Sequence, residues 1–243
     1  MKRAVLDGMP IDLLPPESIR ECILQWLIQP ESSYQVITLN ALMMMAARNS
    51  PALKRAIAEA ALVIIDGAGI SIALKRRGVV PTPRYRGIDL TRYLLEQASL
   101  LQKSVYFYGA SRLVLARLRK VIVEKWPGIK ILGMRDGYEE GDVRPDIVVK
   151  KPDILLVALG TPRQELFLAT VLKDLPGTVG MGVGGSFDVL AGIKPEAPPF
   201  LQKVGVEWLF RMVREPGRCR KLPELAQFWV RYVLLSGKEK SDG

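Results

Sequence analysis

Histidine is absent from the 243 residues, and cysteine occurs only twice, as Cys22 and Cys219. The chain therefore lacks the usual zinc ligand set and has no disulfide framework. Because histidine is the commonest general base, proton transfer would fall to Asp, Glu, Lys, Tyr or Cys. No apolar run reaches the roughly 18 residues of a membrane-spanning helix, and the N-terminal residues have no apolar signal core. We therefore expect a cytoplasmic protein.

Positive charge exceeds negative charge by ten, with 35 Lys and Arg against 25 Asp and Glu. Such an excess predicts an anionic partner, which could be a nucleic acid, a phosphorylated small molecule or an acidic membrane surface. The basic residues concentrate between Lys75 and Arg92 and again between Arg211 and Lys221. Two short clusters favour discrete phosphate groups over a long nucleic-acid track, although a solvated helix face would also carry such charges.

Short apolar runs alternate with helical patterns over most of the chain, after a short extended piece at the N terminus. The runs have the length of buried strands, and we count five or six strand–helix units. Right-handed connections would bring their turns to one edge of a parallel sheet. We predict an α/β fold, a Rossmann-like, doubly wound and mostly parallel sheet, over residues 1–195, followed by a helical C-terminal appendage over residues 196–243.

The run ALVIIDGAGI, residues 61–70, ends abruptly in Asp66. The ends of parallel strands are where α/β proteins bind ligands, and Gly67 and Gly69 allow a ligand to approach closely. Asp66 is therefore a candidate catalytic base, although it could instead cap the helix that begins near Ile70. Ile72 occupies the place of the third Rossmann glycine, which disfavours a dinucleotide site at this turn.

Other polar or glycine residues stand where predicted strands end. Thr38 and Asn40 could bind a ligand in the same crevice or could cap the next helix. The backbone at Gly109 could meet a phosphate, as many strand–helix turns do. The amide of Gln164 can donate and accept, as a sugar hydroxyl requires, but solvent exposure is usual for a glutamine that begins a helix. Gly184 indicates close backbone approach by a ligand or by a packed loop.

The C-terminal segment combines aromatic residues with the second basic cluster. The aromatic residues are Trp208, Phe210, Phe228, Trp229 and Tyr232. An interfacial membrane contact needs this combination of apolar and cationic groups. Packing of the same aromatic residues on the core or on another subunit is the alternative, which composition alone favours.

Several segments, taken together and in order, closely resemble the WecG/TagA/CpsF glycosyltransferases, family 26. They are Thr38-Leu39-Asn40, DGAGI at 66–70, RYRGIDL at 84–90, GTPRQE at 160–165, GVGGSFD at 182–188, VEWLFR at 206–211 and REP at 214–216. The resemblance implies inverting transfer of a sugar, most often N-acetylmannosamine, from a UDP donor to undecaprenyl-diphosphate-linked N-acetylglucosamine in surface polysaccharide synthesis. It also implies a C-terminal appendage that completes the site at the inner face of the cell membrane, self-association, and no metal or other cofactor.

The resemblance also implies roles for individual residues. Asp66 matches the catalytic base, and the matched binding residues are Thr38, Asn40, Arg84, Gln164, Arg211, Arg214 and Arg218, of which the last three would hold diphosphate. Two departures are Arg86, where a small or hydroxyl residue is common, and Pro198-Pro199-Phe200, which replaces an R-A-P-x-W run. Two alternatives stay open: a nucleotide-binding or nucleic-acid-binding module without chemistry, and a nucleotide-sugar enzyme of another reaction type. For the main interpretation we expect no nucleic-acid partner.

Overall fold

The computed structural model describes residues 2–205, 207–214 and 216–235. Its strands are β1 (Arg3–Leu6), β2 (Met9–Asp12), β3 (Tyr34–Leu39), β4 (Leu62–Ile65), β5 (Ser104–Gly109), β6 (Lys130–Arg135), β7 (Ile154–Ala158) and β8 (Val179–Gly182). Its α-helices are α1 (Pro16–Ile28), α2 (Ala41–Arg48), α3 (Pro51–Ala58), α4 (Ala68–Arg76), α5 (Gly87–Leu100), α6 (Arg112–Lys125), α7 (Arg144–Lys150), α8 (Arg163–Val171), α9 (Ser186–Leu190), α10 (Pro199–Val204), α11 (Glu207–Arg214) and α12 (Leu222–Trp229). Short 3₁₀ turns cover Leu172–Asp174 and Pro216–Lys221, and a π-helical turn covers Val230–Leu234.

Six strands form one sheet in the order β4-β3-β8-β7-β5-β6, and every neighbouring pair is parallel. Helices follow the strands and cover both faces, so that the predicted Rossmann-like α/β fold is confirmed. The first four strands of this order, β4, β3, β8 and β7, lie side by side. Their carboxyl ends therefore meet at one edge of the sheet, where parallel α/β proteins bind ligands.

Alternate residues of the central strands enter different hydrophobic clusters, because neighbouring side chains of a strand point to opposite faces. In β3, Val36 packs in the cluster that contains side chains of α1, α5 and α6, whereas Ile37 and Leu39 pack with those of α2, α3 and α4. In β4, Ile64 and Ile65 divide in the same way. Burial on both faces explains why these strands are apolar throughout.

The predicted extended piece at the N terminus is an antiparallel hairpin of β1 and β2. Its turn is Asp7-Gly8, with φ values of 54° and 73°. An Asp-Gly pair between apolar stretches is a typical hairpin signal. Asp12, at the end of β2, is 1% exposed and accepts hydrogen bonds from Arg3 and from the backbone N–H of Val63 at 2.8 Å. The hairpin is thus joined to β4.

The described end of the chain packs against the body of the protein. Phe228 and Tyr232 are fully buried in the cluster that includes α2 and the hairpin, and the Tyr232 hydroxyl donates a hydrogen bond to Asp7 at 2.5 Å. The packing alternative therefore holds for these two aromatic residues, whereas Trp208 on α11 is 38% exposed. The boundary between residues 195 and 196 stays a prediction.

Within the described ranges, every helix is too short or too polar to cross a bilayer.

Candidate active site

Asp66 follows β4 and lies partly exposed at the carboxyl edge of the sheet. Its Oδ1 atom accepts a hydrogen bond of 2.9 Å from the backbone N–H of Gly87, the first residue of α5. The alternative in which Asp66 is the N-cap of the adjoining helix does not hold, because α4 begins at Ala68 with Gly67 as its N-cap. The carboxylate thus faces the N-terminus of a different helix, where the helix dipole stabilises negative charge.

Thr38 lies on the same sheet face as Asp66, one strand away, since Thr38 pairs in register with the residue two positions before Asp66. Gly87 packs against Thr38, since a β-carbon on Gly87 would lie 3.3 Å from Thr38 Oγ1. Asn40 caps α2 through a 3.0 Å bond from the N–H of Met43 to its Oδ1. The capping alternative is therefore confirmed for Asn40, while ligand contacts of Thr38 and Asn40 stay a prediction.

Gln164 is 4% exposed, so the alternative of a solvent-exposed glutamine does not hold. Its Oε1 atom accepts two backbone hydrogen bonds of 3.1 Å, one from Gly160 and one from Gly184. Its Nε2 atom donates to Glu165 Oε1 at 2.7 Å. The amide therefore connects the turn after β7 with the turn after β8. Direct recognition of a sugar by Gln164 stays a prediction.

The glycines around β8 serve close packing. Gly180, Gly182 and Gly185 have the spacing G-x-G-x-x-G, but the first two lie inside the strand. A β-carbon on Gly182 would lie 2.6 Å from Gln164 Nε2, and one on Gly180 would lie 2.8 Å from Leu172. Gly184 has a φ of +48° in the turn, where it donates to Gln164. The strand glycines thus make room for neighbouring side chains, whereas ligand contact at Gly184 stays a prediction.

Gly109 has a packing explanation of its own. Its φ is +107°, and a β-carbon would lie 2.4 Å from the carbonyl oxygen of Ala158 on the neighbouring strand β7. The next N–H, that of Ala110, donates to the same carbonyl at 3.0 Å. Close contact between β5 and β7 is enough to require glycine here, and phosphate binding at Gly109 stays a prediction.

Arg84 reaches across to the C-terminal helices, where its Nη1 atom donates to Glu207 Oε2 at 2.6 Å. Both side chains are about four-fifths buried, with exposed fractions of 19% and 20%. The other oxygen of Glu207, Oε1, is buried without a hydrogen bond from the described residues, 3.7 Å from Arg86 Nη1. A partly buried guanidinium of the candidate site is therefore bound to a carboxylate of α11.

Two further arginines extend this ion-pair network. Arg86 donates to both carboxylate oxygens of Asp89, at 2.5 and 2.6 Å, and to Glu196 at 3.0 Å. Arg92 also donates to Glu196, at 2.5 Å, and this hydrogen bond lowers the pKa of Glu196. The chain just before α10 is thus attached to the start of α5, which also carries the N–H bound to Asp66. Arg86 thus attaches the C-terminal segment to the core.

The C-terminal arginines are described only in part. Arg214 is exposed, with its guanidinium carbon 5.7 Å from the centre of the Phe210 ring. The side chains of Arg211 and Arg218 lie outside the described residues, so a shared diphosphate site stays a prediction. Gly205, directly after α10, does pack against the start of α4 beside Asp66, because a β-carbon on Gly205 would lie 2.5 Å from Ala68 Cβ.

Sequence reasoning missed three participants in this arrangement. They are Gly87, which binds Asp66, Glu207, which binds Arg84, and Glu165, which binds Gln164. All three stand inside the motifs quoted above, so that their positions carried a signal, but their partners could not be identified from local patterns. Within the described part of the chain, no three Cys, Asp or Glu side chains form a group that could hold a metal ion.

Comparison with known proteins identifies the family of the chain. The family model for the "Glycosyl transferase WecG/TagA/CpsF family" matches residues 4–242. An N-acetylglucosaminyldiphosphoundecaprenol N-acetyl-beta-D-mannosaminyltransferase from Bacillus spizizenii is 33% identical over 195 residues, which cover 79% of this chain and 76% of the relative. A protein of the same name from Bacillus subtilis is 31% identical over 168 residues, or 68% and 66% of the two chains. The chain belongs to the WecG/TagA/CpsF glycosyltransferase family.

Proposed function

We propose that this protein transfers N-acetylmannosamine from a UDP donor to undecaprenyl-diphosphate-linked N-acetylglucosamine, with inversion at the anomeric carbon. Family membership and the names of the two relatives support the transferred sugar and the acceptor. The observation that carries the proposal is the position of Asp66, at the ligand-binding edge of the sheet with its carboxylate held by Gly87. The fold, the charge and the relatives then agree on one class of reaction.

Asp66 would act as the general base. In an inverting transfer, one carboxylate removes the proton from the acceptor hydroxyl while that oxygen attacks the anomeric carbon opposite the leaving group. The hydrogen bond from Gly87 fixes the direction of the carboxylate. Fixed orientation matters because proton transfer needs the base within hydrogen-bond distance of the hydroxyl. A second acid is unnecessary, since UDP leaves as a stable anion once its charge is neutralised.

Arg84 would supply part of that neutralisation, as guanidinium groups bind phosphate oxygens in two-point fashion. In the structure the guanidinium is bound to Glu207. A diphosphate has more charge and more acceptor oxygens than one carboxylate, so it can take over Arg84 from Glu207. Donor binding would then break a contact that holds α11 against the core. This exchange would connect donor binding with the position of the C-terminal helices.

The surface of α10 and α11 supports contact with the membrane that holds the lipid-linked acceptor. Phe200, Trp208 and Leu209 are 65%, 38% and 48% exposed, and Arg214 and Lys221 are exposed close by along the chain. Apolar side chains can enter the headgroup region while cations meet anionic lipid. We therefore propose that the protein acts at the inner face of the cell membrane as a peripheral protein.

The test is a transfer assay with purified protein, UDP-N-acetylmannosamine and a short-chain prenyl-diphosphate-linked N-acetylglucosamine. We expect a disaccharide product with inverted anomeric configuration, identified by mass spectrometry and by the one-bond carbon–proton coupling at its anomeric carbon. UDP-glucose and UDP-N-acetylglucosamine serve as donor controls. Binding of UDP without transfer from any of these donors would favour the alternative of a binding module.

A further inference from the structure

Glu165 is a buried acid that the proposed chemistry does not use. It is 1% exposed, and burial raises the pKa of its carboxyl group. Its Oε1 atom accepts hydrogen bonds from Gln164 at 2.7 Å and from the Thr161 hydroxyl at 3.2 Å. Its Oε2 atom is buried without a hydrogen bond from the described residues. A buried carboxyl group with an unpaired oxygen destabilises the folded protein, so we expect Glu165 to have a role that compensates for this free-energy cost.

That role follows from the chemistry of the neighbouring amide. A glutamine side chain has one end that accepts and one end that donates. Two backbone N–H groups, those of Gly160 and Gly184, point at Gln164 Oε1. If the amide turned over, its own NH₂ group would face two other donors. The correct orientation therefore needs an acceptor at the Nε2 end, and Glu165 Oε1 is that acceptor in either protonation state.

The surroundings leave little room for another arrangement. A β-carbon on Gly182 would come within 2.6 Å of Gln164 Nε2, so the amide fits closely over the strand. Thr161, which also donates to Glu165, belongs to the same turn as Gly160. Glu165 thus accepts hydrogen bonds from Thr161, in the turn after β7, and from Gln164, which connects that turn with the turn after β8.

We propose that Glu165 is a positioning residue of the transfer site: it fixes the Gln164 amide in the orientation that holds the Gly160 and Gly184 turns together. The two turns follow β7 and β8, and β8 pairs with β3, which carries Thr38. They therefore border the edge of the sheet that holds Asp66. The importance of this positioning for donor binding rests on the function proposed above, whereas the hydrogen bonds themselves do not.

Two variants of Glu165 distinguish the effect of its acceptor oxygen from the effect of its side-chain volume. Glu165→Gln keeps an oxygen that can accept from Gln164. Glu165→Met fills a similar volume without such an acceptor. The control is Asp12→Asn, which changes another buried carboxylate, at the hairpin and the beginning of β4. Gln164→Met removes the amide itself.

The first measurement is amide hydrogen exchange at Gly160 and Gly184, which needs no activity. We expect Glu165→Met and Gln164→Met to speed exchange at both glycines by about tenfold or more, because the local structure around these N–H groups would open more often. Glu165→Gln and Asp12→Asn should leave both rates within about threefold of the original protein. Unchanged exchange in Glu165→Met, or equally fast exchange in Glu165→Gln, would overturn the proposal.

The second measurement is UDP affinity and turnover per folded molecule. We expect Glu165→Met to weaken UDP binding by roughly tenfold, since small misplacements of a binding group are enough for such losses. Adding Glu165→Met to Gln164→Met should cause no further loss, because both act through the same amide. A lower melting temperature with unchanged affinity and turnover would overturn the positioning role. If the original protein itself neither binds UDP nor transfers sugar, the proposed function fails, while the exchange result still decides the role of Glu165.

Discussion

The carboxylate of Asp66 accepts a 2.9 Å hydrogen bond from the backbone N–H of Gly87, 21 positions further along the chain. This bond joins the end of β4 to the beginning of α5, and it orients the acid toward the edge where the parallel strands end. Gly87 also packs against Thr38, so three candidate site residues share one contact region. For the base proposed above, this hydrogen bond would fix the orientation of the carboxylate.

Gly87→Ala should lower turnover by about tenfold, because the new methyl group would lie 3.3 Å from Thr38 Oγ1 and push the two segments apart. UDP affinity should change less than turnover. Kinetics with saturating donor measure the effect. Thr38→Ala/Gly87→Ala is the control, since removal of the threonine hydroxyl and methyl relieves the contact. If this double variant loses much more activity than Thr38→Ala alone, steric contact with Thr38 is not the cause.

Glu207→Gln should tighten UDP binding by about fivefold, because Arg84 would no longer be neutralised by a carboxylate before diphosphate arrives. Calorimetric titration with UDP measures this change. Glu224→Gln, at an exposed position on α12, is the matched control and should bind UDP as the original protein does. Weaker binding by Glu207→Gln would show instead that Glu207 holds Arg84 in its productive position.

Tyr232 should make stability fall at high pH. Burial, together with the hydrogen bond to Asp7, raises its pKa to about 12 from the ordinary tyrosine value of 10.0. Between those two pH values the folded protein holds the phenol proton more tightly than the unfolded chain, so stability decreases as pH rises through this window. Tyr232→Phe should be less stable at pH 8 but should lose less stability between pH 10 and about 12.

Urea denaturation at several pH values measures this dependence. Tyr138→Phe is the control, since Tyr138 is 81% exposed, and its pH dependence should match that of the original protein. An equally steep loss of stability in Tyr232→Phe would show that ionisation of Tyr232 does not cause it.

Chelation of divalent cations should leave transfer unchanged, because arginine side chains rather than a metal ion would neutralise the leaving diphosphate. The measurement compares initial rates with EDTA and with added Mg²⁺ under otherwise equal conditions. Rates within about twofold of each other agree with the arginine account. Loss of transfer in EDTA that Mg²⁺ restores would contradict it.

The sequence predicts the sheet and the acid at its edge, because strand length, strand–helix alternation and a run that ends in Asp66 are local patterns. The Asp7-Gly8 hairpin also has a local signal, which the prediction of a merely extended piece did not use. The contacts between the site residues and their partners have no such local pattern. Glu207 binds Arg84 from 123 positions away, and a pairing of that kind depends on the tertiary fold.

Gln164 shows why side-chain roles are harder to predict than strands. At the start of a helix a glutamine is usually exposed, yet this one is 4% exposed and connects two turns. Its acceptor bonds depend on β7 and β8 being neighbours, and their adjacency depends on the order of the whole sheet. Residue type and spacing alone therefore suggest sugar binding, whereas the structure places the amide in contacts within the protein.

The most direct test of the account is transfer by Asp66→Asn, compared with the original protein at saturating donor and acceptor. Asparagine keeps an oxygen that can accept from the Gly87 N–H, but it cannot remove a proton. We expect UDP affinity within about twofold of the original and a turnover lower by 10²-fold or more, roughly the contribution of a general base. Full turnover in Asp66→Asn would contradict the assignment of Asp66 as the base.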